Sequence, residues 1–165
     1  MRNKLEQLKS WLYENQSVCW VLLLLLLIDR LTKRLTLAYL TDQPLVLAPY
    51  LQLNYVQNTG AAFGMMQGGN LILILVTLLI LGFLLKNWKE FCGYGWPAKW
   101  GLVFILGGAL GNLYDRITLG FVVDFIDLRV WPVFNAADSF ITIGGGLLVL
   151  AVLLMRKKRP TQEEK

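Results

Sequence analysis

Residues 18–28 form the uninterrupted apolar run VCWVLLLLLLI, and an amphipathic continuation extends it to about residue 39. Three further apolar stretches follow at about residues 70–86, 98–115 and 138–156. Each is close to the roughly 20 residues that a helix needs to cross a bilayer. The sequence therefore predicts a mainly α membrane protein, a single integral membrane domain over residues 1–165 with four transmembrane helices.

Composition supports this class and excludes several chemistries. Hydrophobic residues make up 56% of the chain and charged residues 16%, whereas a soluble domain is about one quarter charged. The chain has no histidine, so a Ser-His-Asp triad and an HExxH zinc site are both absent. Its two cysteines lie far apart, which supports neither a metal site nor a redox motif. Any catalytic acid or base is therefore a carboxylate or an amine, and we expect no metal and no cofactor.

Basic residues predict the orientation in the membrane. Of the 16 lysines and arginines, 11 lie in the N-terminal segment, in residues 86–99 or in the C-terminal tail. The positive-inside rule then places both termini in the cytoplasm. Anionic lipid head groups account for the net charge of +5, so no nucleic-acid partner is expected. The spacing of apolar residues over 5–12 predicts an N-terminal interfacial helix.

The outer segments, about residues 42–68 and 116–137, differ in residue composition and pattern from the rest of the chain. All six aspartates lie there or at the outer ends of the spans. Apolar and polar residues alternate over residues 50–56 and 121–125, between glycines and prolines, which predicts short strands. We expect a small extracytoplasmic β cradle at the outer end of the bundle, and the chemistry beside it.

Charged residues inside the first span need partners or a function. Asp29 and Lys33 share a helix face at a spacing of four residues. They form either a structural salt bridge or part of a substrate-binding site. Arg30 and Arg34 are expected to extend toward head groups from a neighbouring face.

Small residues predict how the last two spans pack. Gly107 and Gly111 form a small-xxx-small face in the third span, and residues 144–146 supply three glycines in the fourth. Such faces let helix backbones approach closely, so we expect these spans to contact each other. Asp115 and Arg116 follow at the outer end, either as an anchor at the membrane surface or as part of a site.

Two further aspartates are the main candidates for catalytic residues. Asp124 lies in the apolar segment GFVVDF, and Asp138 directly precedes the last span, 13 residues of loop beyond. They are either a strand-end acid and a helix N-cap, or two carboxylates that share one proton near neutral pH. A shared-proton pair hydrolyses an amide without a covalent intermediate, because one member activates water and the other protonates the peptide.

Five blocks match one known family: Asp29-x-x-x-Lys33, NTGAAF (58–63), GGALGNLYDR (107–116), GFVVDF (120–125) and FNAAD (134–138). In these blocks the chain resembles the bacterial lipoprotein signal peptidases, also called signal peptidase II. The resemblance implies a four-span aspartic endopeptidase of the bacterial cytoplasmic (inner) membrane, with its active site toward the outer face. Its substrates are prolipoproteins that carry a diacylglyceryl group, and it cuts just before the lipidated cysteine.

The resemblance also implies residue roles. Asp124 and Asp138 match the catalytic pair. The positions that line or brace the site are Asn58, Gly60, Asn112, Arg116 and Asn135; further motif positions are Asp29, Lys33, Gly108 and Asp115. Partners would be the lipidated substrates and membrane lipids, and a monomer is expected.

Three other functions fit parts of the sequence. Ser139 and Lys33 could form a Ser-Lys peptidase, although a lysine beside Asp29 tends to stay charged and is then a poor base. A transporter could use membrane aspartates as an ion relay, but its acids should also extend toward the cytoplasm. A purely structural anchor would not need so many outer asparagines and aspartates.

Overall fold

The computed structural model describes residues 15–60 and 69–158, together with Glu6. Its elements, in chain order, are α1 (Gln16–Tyr39), β1 (Leu45–Ala48), β2 (Leu51–Asn58), α2 (Asn70–Lys86), α3 (Trp88–Cys92), α4 (Trp96–Thr118), β3 (Val122–Asp127) and α5 (Ala136–Lys158). The fold is thus mainly helical with a small sheet. The predicted interfacial helix over 5–12 lies, except for Glu6, outside the described residues, as does part of the NTGAAF block.

Four long helices occupy the four predicted stretches. Within the described residues, one of them is long and apolar enough to cross a membrane by length and composition, over Ala136–Met155, and α2 is a shorter apolar helix. Helix α1 spans 24 residues but carries four charged side chains in its C-terminal half, which lowers its hydropathy. The membrane crossings of α1, α2 and α4 therefore stay predictions.

Helix α4 lies at the centre of the bundle and packs closely on α5 through glycines. A Cβ atom on Gly101 would lie 2.8 Å from the carbonyl oxygen of Gly144, and one on Gly144 would lie 2.6 Å from that of Gly101. One on Gly108 would lie 2.8 Å from Ile141 Cγ1 and closer still to the carbonyl oxygen of Ala137. Backbones this close leave no room for larger residues, so the predicted contact between the last two spans is confirmed.

The glycines that make this contact are not the predicted pair. Cβ atoms on Gly107 and Gly111 would meet Leu25 and Asp29 of α1, at 2.8 Å and 2.6 Å respectively. The small-xxx-small face of α4 therefore packs on the first helix, and its opposite face packs on α5. Both faces look alike in sequence, and only the rotation of α4 within the bundle assigns each to a neighbour.

We expect Gly108→Ala to destabilise the protein, because the added methyl meets the backbone of α5 beside Asp138. Overpacking of this kind costs about 1–3 kcal/mol. Gly145→Ala is the matched control, since nothing lies within 4 Å of a Cβ atom there. Thermal unfolding in detergent should show a lower Tm for Gly108→Ala alone; equal Tm values for the two variants would contradict the packing described.

The sheet has the order β1-β2-β3 and is antiparallel throughout. Strands β2 and β3 correspond to the two predicted alternating segments, whereas β1 and the short helix α3 were not predicted separately. In the register of β2 with β3, Val56 pairs with Asp124 and Asn58 with Val122. The first four residues of β3 are buried. The main-chain N–H of Val123 donates to Asp115 Oδ2 at 3.3 Å, which joins the sheet to the end of α4.

Candidate active site

Asp124 is a buried carboxylate near the middle of β3, and only 1% of it is exposed. Both of its oxygens accept hydrogen bonds from amide side chains. Asn135 Nδ2 donates to Oδ1 at 2.6 Å, and Asn58 Nδ2 donates to Oδ2 at 2.8 Å. Because β2 pairs with β3 at this point, Asn58 reaches the carboxylate from the neighbouring strand. A strand-end acid that faces water is therefore excluded as a description of Asp124.

Asp138 belongs to a reciprocal capping arrangement at the start of α5. Asn135 precedes the first helical residue, and its Oδ1 accepts from the main-chain N–H of Asp138 at 2.9 Å. In return, Asp138 Oδ2 accepts from the main-chain N–H of Asn135 at 3.1 Å. This is a capping-box geometry. The N-cap is thus Asn135, and the interpretation of Asp138 as an N-cap is wrong by three residues.

One asparagine binds both carboxylates. The side chain of Asn135 donates to Asp124 and its main-chain N–H donates to Asp138. A second asparagine, Asn112 of α4, closes the arrangement: its Nδ2 donates to Asp138 Oδ1 at 2.8 Å, and its Oδ1 accepts from Asn135 Nδ2 at 3.1 Å. The structure therefore brings Asp124, Asp138, Asn58, Asn112 and Asn135 into a single hydrogen-bonded group, which we call the aspartate site.

The electrostatics of this site favour a protonated carboxyl near neutral pH. Burial raises the pKa of Asp124 to about 7, and the negative charge of Asp138 acts in the same direction. The hydrogen bonds from Asn58 and Asn135 and the charge of Lys33 oppose the increase in pKa. Burial disfavours the charged form of a carboxyl, so Asp124 carries a proton at pH values where an exposed aspartate is fully ionised.

Lys33 links the aspartate site to the first helix. Its Nζ lies 2.9 Å from Asp29 Oδ1 and 2.7 Å from Asp115 Oδ2, and it donates to Asn112 Oδ1 at 2.9 Å. The predicted pair of Asp29 and Lys33 is therefore present. Lys33 Nζ therefore forms ion pairs with Asp29 and Asp115 and a hydrogen bond with Asn112.

Arg30 contacts the same two aspartates, which corrects the expectation that it reaches toward head groups. Its Nη2 lies 2.5 Å from Asp29 Oδ2 and its Nη1 2.6 Å from Asp115 Oδ1. The number of charges indicates this contact: Asp29 and Asp115 inside the bundle outnumber Lys33, so a second cation is needed to balance them. Asp115 itself is 0% exposed, so its interpretation as a surface anchor is wrong. We call Asp29, Arg30, Lys33 and Asp115 the charge cluster.

The remaining predicted positions lie around these two groups. Gly60 donates its N–H to Asn58 Oδ1 at 3.0 Å, and its carbonyl oxygen lies 3.5 Å from Arg116 Nη2. Gly108 contacts the first turn of α5 rather than either carboxylate. Ser139 Oγ donates to the carbonyl oxygen of Asn135 at 3.1 Å, whereas Lys33 Nζ is occupied by other acceptors. The geometry therefore gives no support to a Ser-Lys pair.

Within residues 15–60 and 69–158, no group of three or more histidine, cysteine or acidic side chains is placed to hold a metal ion. The aspartate site itself contains two carboxylates and three amides. Two carboxylates, one of them with a pKa near neutrality, supply a general base and a general acid at the same pH.

Solved structures similar to this fold are those of bacterial membrane enzymes. One, determined by the in meso method at 2.3 Å resolution, has a TM-score of 0.81 and 28% sequence identity, and the match covers 91% of this chain and 95% of the other. A second, at 1.9 Å resolution, has a TM-score of 0.73, with 84% and 93% covered. The fold is thus similar to that of these membrane enzymes.

Sequence comparison identifies the family. The model for signal peptidase (SPase) II matches residues 21–154. A lipoprotein signal peptidase of Halothermothrix orenii is 42% identical over 133 residues, 79% of this chain and 90% of the relative. One of Syntrophomonas wolfei is 45% identical over 139 residues, 82% and 92%. The chain belongs to the signal peptidase II family, which confirms the resemblance and makes the transporter and anchor interpretations unnecessary.

Proposed function

We propose that this protein is a membrane aspartic endopeptidase that removes the signal peptide from diacylglyceryl-modified prolipoproteins, just before the lipidated cysteine. Family membership supports a lipoprotein signal peptidase. The observation that carries the mechanism is the binding of both carboxylates by Asn135. This contact holds the buried Asp124 and the partly buried Asp138 in one site, with the pKa of Asp124 raised to about 7.

The proposed reaction needs one proton on the pair of carboxyls. The ionised member removes a proton from water as the water oxygen attacks the scissile carbonyl carbon. The protonated member donates a hydrogen bond to the carbonyl oxygen and then transfers its proton to the departing amine. The two carboxyls titrate as a unit, so the shared proton belongs to the pair. No metal or cofactor takes part in this proposal.

The proposed setting is the bacterial cytoplasmic membrane, crossed four times by α1, α2, α4 and α5 within a single integral domain. The distribution of basic residues supports cytoplasmic termini and a site at the outer face. In this proposed orientation, the sheet that supplies Asn58 and Asp124 belongs to the outer end of the bundle. An edge of such a sheet can bind an extended signal peptide as an additional strand.

The substrate class is tested with purified enzyme, a diacylglyceryl-modified prolipoprotein and the same precursor without the lipid. We expect cleavage of the lipidated substrate alone, seen as a mobility shift on a gel and located before the cysteine by mass spectrometry. Equal cleavage of both precursors would exclude recognition of the lipid. No cleavage of either by folded enzyme would contradict the function.

The pH dependence follows from the pKa of Asp124. As pH rises through about 7, the pair loses its shared proton and no acid remains for the leaving amine. We expect kcat/KM to fall above this pH by about tenfold per unit, as for loss of one essential proton. A kcat/KM that stays constant up to pH 9 would contradict the shared-proton mechanism.

The free energy of unfolding should also depend on pH, between the unfolded-state and folded-state pKa values of Asp124. The folded-state pKa of Asp124 is raised above the value of 3.8 for an unperturbed side chain, so the unfolded chain releases this proton first. The stabilising contribution of Asp124 to the free energy of unfolding is fully present below about pH 4 and is lost as pH rises to about 7. Thermal unfolding should show less of this decrease in Asp124→Asn than in the wild type.

A further inference from the structure

An apolar groove lies between α1 and α4, on a face of the bundle separate from the aspartate site. Its volume is about 560 Å³, within the range of about 300–1,000 Å³ that is typical of small-molecule sites. The walls include Leu26, Leu110, Leu113 and Ile117, and two arginines line the same groove, Arg30 and Arg34. An apolar groove with cations on one wall suits an amphiphilic anion.

The two arginines differ in what balances their charge. Arg30 contacts Asp29 and Asp115, and its guanidinium carbon lies 4.5 Å from the centre of the Tyr114 ring. With Lys33, these residues give the charge cluster two positive and two negative charges. Arg34, one turn beyond Arg30 on the same helix face, is exposed, and none of the described carboxylates forms an ion pair with it. The groove therefore carries one unbalanced positive charge.

The chemistry of the occupant follows from this charge and from the apolar walls. A phospholipid with a net negative charge provides both an acyl chain for the groove and a phosphate for the Arg34 guanidinium. The diacylglyceryl group of the proposed substrate also has acyl chains, but it has no phosphate and would leave Arg34 unpaired. Charge complementarity thus favours a lipid of the membrane itself over the lipid of the substrate.

We propose that the groove between α1 and α4 binds one anionic glycerophospholipid of the outer leaflet, with an acyl chain along Leu110 and Ile117 and its phosphate at Arg34. Such a lipid bridges the two helices that contribute the charge cluster, and it stabilises the folded protein in proportion to its occupancy. The inference depends on the membrane location of the protein and not on the proposed peptidase chemistry.

Lipid binding is tested with the full chain in a neutral detergent. Phosphatidylglycerol or, for comparison, zwitterionic phosphatidylcholine is titrated, and native mass spectrometry and thermal unfolding are the readouts. We expect one tightly bound phosphatidylglycerol and a higher Tm, with weaker binding of phosphatidylcholine. Arg34→Gln should weaken phosphatidylglycerol binding about fivefold and remove the preference between the two lipids.

Two further variants separate charge from shape. Lys89→Gln removes one exposed cation at the opposite end of the bundle and should keep the wild-type preference. Ile117→Trp fills the groove and should weaken the binding of both lipids. Equal phosphatidylglycerol affinity in the wild type and Arg34→Gln would overturn the proposal.

Two more outcomes would also overturn it. Binding of inorganic phosphate at the same concentrations would show a simple anion site rather than a lipid site. An increased KM for the lipidated substrate in Arg34→Gln, with phosphatidylglycerol binding unchanged, would assign the groove to the substrate. Because lipid binding is measured directly, failure of the proposed peptidase function does not change these results.

Discussion

Asp124→Asn and Asp138→Asn are each expected to lower kcat by about 10³-fold, within the range of about 10²–10⁴ attributed to a positioned acid or base. In the proposed mechanism, each substitution removes one of the two carboxyls that exchange a proton with water and with the leaving amine. An asparagine at either position keeps the shape of the side chain but cannot bind and release that proton. The measurement is single-turnover cleavage of the lipidated precursor.

Asp127→Asn is the matched control for this experiment. Asp127 lies on the same strand, and its Oδ2 also accepts hydrogen bonds from amide side chains, from Gln52 Nε2 at 2.7 Å and from Asn54 Nδ2 at 3.3 Å. Its replacement thus reproduces the loss of a carboxylate bonded to amides, outside the aspartate site. We expect near wild-type cleavage. If Asp124→Asn or Asp138→Asn kept more than about one tenth of the wild-type rate, that aspartate would not be catalytic.

Each asparagine variant must be shown to be folded before its activity is interpreted. Both oxygens of Asp124 and of Asp138 accept hydrogen bonds, so an asparagine places one N–H₂ group opposite another donor. An unsatisfied buried group costs about 1–3 kcal/mol. Thermal unfolding should therefore show a modest decrease in Tm, which is separable from a 10³-fold loss of rate in protein that is still folded at the assay temperature.

Lys33→Met is expected to produce the largest loss of stability. The substitution removes the cation between Asp29 and Asp115, both 0% exposed, and leaves two buried carboxylates with Arg30 alone. Loss of one partner from a buried ion pair typically costs about 3–5 kcal/mol, because the remaining charge is uncompensated. Asn112 also loses a donor, so the same variant should misplace the amide that bonds to Asp138.

The control for Lys33→Met is Lys89→Met, which removes an exposed cation outside the charge cluster. SDS-induced unfolding in mixed micelles would give the unfolding free energies of both variants. The double variant Lys33→Met/Asp29→Asn should recover part of the stability, since it removes the charge left unpaired. Equal unfolding free energies for Lys33→Met and Lys89→Met would show that the charge cluster contributes little.

The position of Asn112 explains why a charge cluster lies beside the aspartate site. Its side chain accepts from Lys33 through Oδ1 and donates to Asp138 through Nδ2. The amide orientation is thereby determined, because an ammonium can only donate and an ionised carboxylate only accepts. Conformational freedom at Asp138 is reduced without a direct contact between a cation and either carboxyl of the site.

Much of the fold could be predicted from local sequence. The apolar stretches at 18–39, 70–86, 98–115 and 138–156 became the four long helices, because apolar length and helical periodicity are properties of consecutive residues. The alternation over 50–56 and 121–125 became β2 and β3 for the same reason. The short helix α3 was not predicted, since five residues carry too little pattern to be distinguished from a turn.

Site residues were predicted through matched motifs, and their roles stay predictions. Spacing alone left Asp124 and Asp138 open to a structural interpretation. The bonds of Asn135 to both carboxyls depend on where β3 meets the start of α5, and no local pattern contains that information.

Sequence alone was enough to establish the helical class, the approximate helix positions, the absence of histidine chemistry and the family motifs, because each depends on residue types at short spacing. Tertiary structure was needed to determine which residues contact each other. Arg30 points inward to two carboxylates. On α4, Gly107 and Gly111 face α1, while Gly101 and Gly108 face α5. These choices depend on how each helix is rotated in the bundle. That rotation is the one that pairs the buried charges and lets the helix backbones approach closely at the same time, so it is a property of the whole packed chain.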